Sequence, residues 1–196
     1  NHLLEAAKRE FTRVLLKDAS INRIVQDAKI SRGSFYLYFN DIEDLYFYVL
    51  VQHRQILWDR FLTLIKEKED LVDVFEQLYL DIIHYCSQKD RKQYFKNVLL
   101  NMNVHMENDF SSPSNFTFSK IQKEKEKMYL LISTASFTTE AKENLDDVFS
   151  LLFHVTIYNL MPVLLFDCPL IEAKKRYHRQ LQLLFHVFLK KGNDLC

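Results

Sequence analysis

The stretch Ser20–Phe39, SINRIVQDAKISRGSFYLYF, contains the pattern that decides the fold of this chain. Its first half carries apolar residues at helical spacing, which predicts an amphipathic helix: Ile21, Ile24, Val25 and Ala28. Ser20 is predicted to cap that helix through its side-chain oxygen, and Ser31 to cap a second one. The chain turns between them at Lys29–Ile30. Two short helices joined by a tight turn predict a helix-turn-helix, whose second helix can enter a major groove.

The second helix carries side chains that suit contacts with DNA. Arg32 can donate two hydrogen bonds to O6 and N7 of a guanine, or it can bind phosphate. Ser31 and Ser34 can donate to phosphate or to a base edge. Tyr36 and Tyr38 combine an apolar ring with a hydroxyl that reaches backbone oxygens, although packing is an alternative role for Tyr38. The interleaved phenylalanines are predicted to be core residues: Phe35 and Phe39.

Composition limits the remaining possibilities. The 196 residues include only two glycines and three prolines, so long helices are expected. The hydrophobic content of 48% excludes a disordered chain. Because the net charge is zero, a basic character has to be local, and the excess of bases between Lys17 and Tyr38 is small. Three cysteines, odd in number and far apart, indicate reduced thiols and a cytoplasmic protein.

Outside the helix-turn-helix, apolar periodicity predicts an all-α chain. The first helix carries Lys8, Arg9 and Arg13 on its solvated side, where one or two of them are candidates for phosphate contacts. A helix of roughly 25 residues, about 38 Å long, is predicted to start at an Asn40–Glu43 capping box. The predicted helices span residues 2–16, 20–28, 31–39, 40–66, 71–87, 90–106, 118–133, 148–166 and 169–191.

Val148–Phe166 is nearly long enough and apolar enough to span a membrane. Polar residues interrupt it, so we favour a helix buried between its own subunit and a partner, with no membrane contact. Pro162 is expected to kink or end that helix. Pro169 is expected to open the last helix.

The N-terminal region, roughly residues 3–50, resembles the TetR family of bacterial transcriptional regulators. The residues that carry the resemblance are Ala19, Ser20, Ile21, Ile24, Val25, Ala28, Ile30, Ser31, Gly33, Ser34, Phe35, Tyr36, Tyr38, Phe39, Glu43, Asp44 and Leu45. It implies a three-helix DNA-binding domain, residues 1–48, followed by a helical effector-binding and dimerisation domain, residues 49–196. The predicted DNA-binding residues are Ser20, Lys29, Ser31, Arg32, Gly33, Ser34, Tyr36 and Tyr38.

Two departures from the family pattern affect the expected contacts with DNA. Lys29 stands where the family often has glycine, so a non-glycine residue is expected at positive φ. Ile42 stands where the family often has a lysine that contacts phosphate.

The resemblance further implies a homodimer through the last two long helices, operator DNA as a partner, and an effector pocket in the C-terminal domain. The high aromatic content favours an apolar or aromatic effector, and no cofactor is required. The candidate effector-binding residues are Trp58, Tyr79, Phe95, Leu99, Met102, Phe149, Phe153 and Tyr158. Haem is an alternative ligand, with His84, His105 and His154 as candidate ligands.

Other classes of function find less support. The sequence contains no Glu-x-x-His repeat, P-loop, HExxH or paired CxxC, so we predict neither an enzyme nor a metal site. The expected function is a TetR-like regulator, a repressor released by a small molecule. The alternative is a helical protein-binding adaptor without sequence-specific DNA binding.

Overall fold

The computed structural model describes residues 2–105, 115–134 and 137–189, with the backbone alone for residues 102–105 and 115–122. These residues are predominantly helical, as the sequence predicts. The helices are α1 (His2–Arg13), α2 (Ile21–Ala28), α3 (Arg32–Tyr36), α4 (Ile42–Glu67), α5 (Leu71–Ser87), α6 (Lys92–His105), α7 (Asn115–Leu131), α8 (Thr139–Glu143), α9 (Leu145–Phe166) and α10 (Leu170–Phe188). Helix α1 is shorter than predicted, because a 3₁₀ turn, Leu16–Asp18, follows it.

A first compact unit contains the described residues of Asn1–Asp59 and His84–Ser112. Apolar side chains of α1 to α4 form its core, among them the fully buried Ile24, Phe35 and Leu45. The rings of Phe11 on α1 and Tyr46 on α4 meet edge to face, with centroids 5.1 Å apart. This packing holds the two short helices of the helix-turn-helix against longer ones.

Helix α6 also belongs to the first unit, which periodicity alone did not indicate. The Asn97 side-chain amide donates to the carbonyl oxygens of Phe11 and Thr12 at 2.9 and 3.0 Å. The Asn101 amide donates to the Tyr46 hydroxyl at 3.2 Å. These bonds attach α6 to α1 and α4, so the compact unit extends beyond residues 1–48. The predicted division into functional domains after residue 48 stays a prediction.

A second compact unit contains the described residues of Arg60–Ile83 and Pro113–Cys196. Phenylalanine rings from α4, α5, α9 and α10 pack together in its core: Phe61, Phe75, Phe149, Phe153 and Phe185. Two hydrogen bonds join α9 to α10: one links the hydroxyl oxygens of Thr156 and Tyr177 (2.7 Å), and the Asn159 amide donates the other to the Gln180 side chain (2.6 Å). The second unit is therefore a helical body with both apolar and polar interior contacts.

The first turn of α4 corrects the predicted cap. The Asp44 backbone N–H donates to the Asp41 carboxylate at 2.7 Å, and the Asp44 carboxylate accepts from the Asn40 backbone N–H at 3.1 Å. The predicted box with Asn40 and Glu43 is wrong by one residue. Asp41 outcompetes Asn40 because its carboxylate accepts a charge-assisted hydrogen bond and faces the positive end of the helix dipole.

Helix α9 continues past Pro162 to Phe166 and does not end at the proline. By length and composition it is long and apolar enough to cross a membrane, but it buries Leu152 and Asn159 inside the second unit, as a core helix does. Pro169 occupies the N-cap position of α10, one residue before the predicted first turn. The last helix ends at Phe188, three residues before the predicted end at Lys191, because the backbone of Leu189 is extended.

Candidate nucleic-acid interface

The turn between α2 and α3 has the backbone that its sequence requires. Lys29 has φ 56° and ψ 42°, the left-handed conformation that the sequence predicts for a residue in the glycine position. Ser31 caps α3, with its hydroxyl accepting from the Ser34 backbone N–H at 3.0 Å. Ser20 occupies the N-cap position of α2, but its hydroxyl makes no capping hydrogen bond. The Ser20 hydroxyl therefore stays available to another partner.

Helix α3 and the residues directly after it carry one buried aromatic side chain and several exposed side chains. Phe35 is completely buried, whereas Arg32, Tyr36 and Tyr38 are exposed, with Tyr38 at 74% exposure. This position removes the alternative in which Tyr38 is half-buried packing. A capped helix anchored by one aromatic residue thus presents its polar side chains outward.

Gly33 lies on the exposed side of α3, and the described residues around it leave room for a side chain. A Cβ atom at this position would contact only the Ser31 hydroxyl oxygen, at an ordinary 3.8 Å. The missing side chain instead leaves the helix backbone open to a close approach from outside.

Glu10 fixes the position of α2 relative to α1. Its carboxylate is only 5% exposed and accepts hydrogen bonds from Arg13 (2.8 Å), from Arg23 (2.6 and 2.9 Å) and from the Ser20 backbone N–H (2.9 Å). Burial alone would raise the pKa of Glu10, but the hydrogen bonds from Arg23, Arg13 and Ser20 outweigh it and lower the pKa below its ordinary value of 4.5. Glu10 is therefore ionised at neutral pH.

The basic residues of α1 form ion pairs within α1 and with α2. Lys8 pairs with Glu5 at 3.0 Å, and Arg9 pairs with Asp27 at 2.8 Å. Arg13, like Arg23 on α2, pairs with Glu10. Each of these bases contacts a carboxylate, with Arg13 and Arg23 sharing that of Glu10, which does not favour the phosphate contacts considered for α1.

The cations of the helix-turn-helix that remain unbalanced are few. Lys17 and Lys29 are both exposed, and within the part of the chain that the structure describes neither makes an ion pair. Arg32 is exposed as well and contacts neutral oxygens rather than carboxylates. The positive surface of one protomer near α3 therefore consists of about three charges.

Leu37 is a surface residue that the sequence reasoning missed. It is 81% exposed directly after α3, between Tyr36 and Tyr38. An apolar residue is assigned to the core by default, so the available signal was its position between two residues already predicted to face DNA. Its exposure adds an apolar contact to a polar surface.

The predicted effector residues are divided between the two units. In the first unit, Trp58 and Leu99 are buried, and Phe95 lies beside His53, with ring centroids 5.2 Å apart. Burial, with a smaller effect from the charges of Lys8 and Arg91, lowers the pKa of His53 to about 4, so this ring is neutral at pH 7.

In the second unit, Phe149 and Phe153 belong to the phenylalanine cluster, and Tyr79 donates to the Asn159 carbonyl oxygen at 3.1 Å. Burial raises the pKa of Tyr79 to about 12. Tyr158 is 63% exposed and does not join these residues. The Met102 side chain lies outside the described residues. Effector binding by this set stays a prediction.

The histidines considered for haem lie at the surface where the structure describes them. His84 is exposed beside Gln88 on its own helix, and His154 is exposed beside Ser150 on its own helix. The His105 side chain is outside the described residues. Among the residues described, no group of three or more His, Cys, Asp or Glu side chains is arranged to hold a metal ion.

The fold and the exposed face of α3 define a helix-turn-helix DNA-binding protein, and family models agree. The model for bacterial regulatory proteins of the TetR family matches residues 3–49, and that for the tetracycline repressor-like C-terminal domain matches residues 70–186. The chain belongs to the TetR family and is a transcriptional regulator. The adaptor alternative is not favoured. Curated protein sequences provide no match.

Solved structures share the fold. A TetR regulator from Rhodococcus sp. RHA1 is 17% identical, with a TM-score of 0.60 and 94% of each chain covered. A TetR-family regulator from Pectobacterium atrosepticum is also 17% identical, with a TM-score of 0.60 and coverage of 96% of this chain and 93% of that one. NalD, the secondary repressor of the MexAB-OprM multidrug efflux pump in Pseudomonas aeruginosa, is 15% identical, with a TM-score of 0.51 and coverage of 97% and 96%.

We expect Leu37 to contact the methyl group of a thymine in the operator. Apolar side chains recognise that methyl group in the major groove. Burying one methyl-sized group is worth about 0.8 kcal/mol, or roughly a fourfold change in affinity. Replacing the contacted thymine by deoxyuracil should weaken binding of the wild type about fourfold and leave Leu37→Ala unaffected.

The control for this prediction is Leu130→Ala, since Leu130 is 87% exposed on α7 and distant in sequence from α3. It should respond to deoxyuracil as the wild type does. A Leu37→Ala protein with wild-type discrimination at every thymine would contradict the assignment.

Proposed function

We propose that this regulator is a cytoplasmic homodimeric repressor that binds a two-fold operator and is released by an apolar or aromatic small molecule. The observation that carries the dimer is the apolar outer surface of the last two long helices. Large apolar side chains on α9 and α10 are exposed in the single chain: Leu151, Tyr158, Phe166, Ile171, Leu183 and Val187. Several large exposed apolar side chains on two paired helices favour a protein interface there.

A two-fold dimer explains how one short reading helix gains affinity. The same patch on both subunits is self-complementary in an isologous interface. Two copies of α3 then face successive major grooves, and the operator is expected to be a palindrome with half-sites about one helical turn apart, or a multiple of it. The few unbalanced cations of one protomer are doubled in this arrangement.

Release by an effector requires that the effector prefer the conformation that does not fit the operator. The bonds from Asn97 and Asn101 support a route for this change, because they attach α6 to α1 and α4 within the DNA-reading unit. We infer that a shift of α4 or α6 repositions the helix-turn-helix. The fold shared with NalD, itself a repressor, is consistent with the sign of regulation proposed here.

Titration of the full chain on duplexes selected from a randomised pool tests this function. If Lys17 and Lys29 contact phosphate in both subunits, log K should fall with log salt with a slope of about −4, and of about −5 if Arg32 also does. An apolar ligand that releases the duplex should also change the emission of Trp58, the single tryptophan. Selection of no sequence at low salt by ligand-free protein would contradict the proposal.

A further inference from the structure

The Arg32 guanidinium is held from two sides by neutral groups. Its Nη1 donates to the Asn22 side-chain oxygen at 3.2 Å, and its Nη2 donates to the Tyr36 hydroxyl at 3.1 Å. The guanidinium carbon also lies 5.6 Å from the centre of the Tyr36 ring, within reach of a cation–π contact. Asn22 belongs to α2, so this bond crosses the turn of the helix-turn-helix.

These contacts contribute little to folding. All three residues are exposed, and hydrogen bonds among exposed side chains add little stability while they restrict a flexible arginine. The neighbouring arginines behave differently, since Arg9, Arg13 and Arg23 each pair with a carboxylate. Among the described residues, Arg32 is the one of these four that contacts no carboxylate, so its positive charge is not balanced by an acidic side chain.

The positioned guanidinium keeps the donors that a guanine requires. Arginine has five N–H donors, of which the two contacts use two. The remaining three can form the bidentate pair with O6 and N7 of guanine. Adenine presents an N–H₂ donor beside N7, so a guanidinium fixed in front of it cannot form the bidentate pair. A guanidinium that is free to move can instead turn to a phosphate, and the discrimination is lost.

We propose that Asn22 is a positioning residue for specificity: it fixes the Arg32 guanidinium so that Arg32 selects one guanine in each half-site. This inference rests on the proposed function. It assigns Asn22 no contact of its own with the operator. The Tyr36 ring and hydroxyl complete the support from the other side.

The test compares guanine preference in full-length variants on the duplex that the wild type selects from a randomised pool. Substitution of the selected guanine by 7-deazaguanine removes N7, and substitution by adenine also replaces O6 by a donor. The wild type should lose roughly 5- to 150-fold in affinity with adenine, the range of a bidentate pair. Arg32→Ala should bind the guanine and adenine duplexes equally. In Asn22→Ala the preference for guanine over adenine should be at least about threefold smaller than in the wild type.

The matched control is Gln26→Ala, which removes another exposed amide from α2. A purely structural role for Asn22 would lower the melting temperature. We expect the melting temperature to be unchanged in Asn22→Ala and Gln26→Ala, with only Asn22→Ala losing guanine preference.

The outcomes separate this inference from the function on which it rests. If the wild type selects no sequence, the proposed function fails and this inference fails with it. If the wild type selects a site whose guanine preference disappears in Arg32→Ala but persists in Asn22→Ala, this inference alone is overturned. This inference alone is also overturned if Arg32→Ala keeps the guanine preference of the wild type at every position.

Discussion

Glu10→Gln is expected to destabilise the protein by about 2 kcal/mol, in the range for hydrogen bonds to a buried charge. Glu10 accepts from two arginines and from the Ser20 backbone N–H, and it is almost fully buried. A neutral amide replaces one acceptor by a donor, which then faces Arg13 or Arg23. Because both arginines are half-exposed, water replaces part of what they lose, and the cost stays below that of a fully buried pair.

Thermal unfolding followed by circular dichroism measures this change. For a chain of 196 residues, about 2 kcal/mol corresponds to a decrease in Tm of roughly 4–8 °C. Glu5→Gln is the matched control, because Glu5 lies on the same helix and pairs with Lys8 at an exposed position, where such a pair contributes less than about 1 kcal/mol. Equal effects of the two variants would contradict the role of Glu10.

The contribution of Glu10 should also depend on pH in a defined direction. Its pKa in the folded protein is lowered, so its stabilisation is fully present above the ordinary value of 4.5 and is lost as the pH falls through the folded pKa. The difference in stability between wild type and Glu10→Gln is therefore constant near pH 7 and shrinks in acid. A difference that grows in acid would exclude this explanation.

The sequence predicted the helix-turn-helix because its signals are local. The α2 face, the Ser31 cap and the left-handed Lys29 all depend on neighbours within a few residues, and each prediction is confirmed. The cap of α4 was assigned one residue early, because Asn40, Asp41 and Glu43 all suit a helix start. Competition between adjacent capping residues is decided by geometry that spacing does not contain.

The attachment of α6 to α1 could not be read from the sequence. Asn97 lies more than 80 residues from Phe11, and an asparagine in α6 gives no sign of its partner. The role of Glu10 could not be predicted either. In the sequence a carboxylate in α1 resembles a solvated residue, and only the structure shows that it accepts from Arg13 on α1 and Arg23 on α2. Periodicity predicts which face of a helix is buried, not which polar atom lies opposite.

The sequence indicated some of the exposed residues at and beside α3 but not all of them. Exposure of Arg32, Tyr36 and Tyr38 agrees with their predicted roles. Leu37 was missed because the hydrophobic rule assigns leucine to a core, and Asn22 because its bond to Arg32 joins two different helices. The roles that we propose for both residues concern specificity rather than stability, and patterns of folding do not reveal such roles.

The largest effect on DNA binding is expected from breaking the proposed dimer. Leu183 and Val187 lie one turn apart on α10 and are 64% and 67% exposed in the single chain. The double variant Leu183→Glu, Val187→Glu places two carboxylates in each half of an apolar interface, where unpaired charges are strongly disfavoured. We expect sedimentation to report a monomer, with the helical content unchanged because both side chains are exposed on the folded chain.

Loss of the dimer should cost far more affinity than the loss of one contact. A dimer binds its second half-site at high effective concentration, and that gain is worth about 10²- to 10⁴-fold. The double variant should therefore bind a palindromic duplex weaker than wild type by this factor, with affinity for a single half-site unchanged. Leu130→Glu introduces a charge at an exposed leucine of α7 and should remain dimeric. A double variant that stays dimeric would place the interface elsewhere than on α10, since both carboxylates would then lie in water. A monomeric variant with wild-type affinity for the palindrome would contradict the proposed gain in affinity from the dimer.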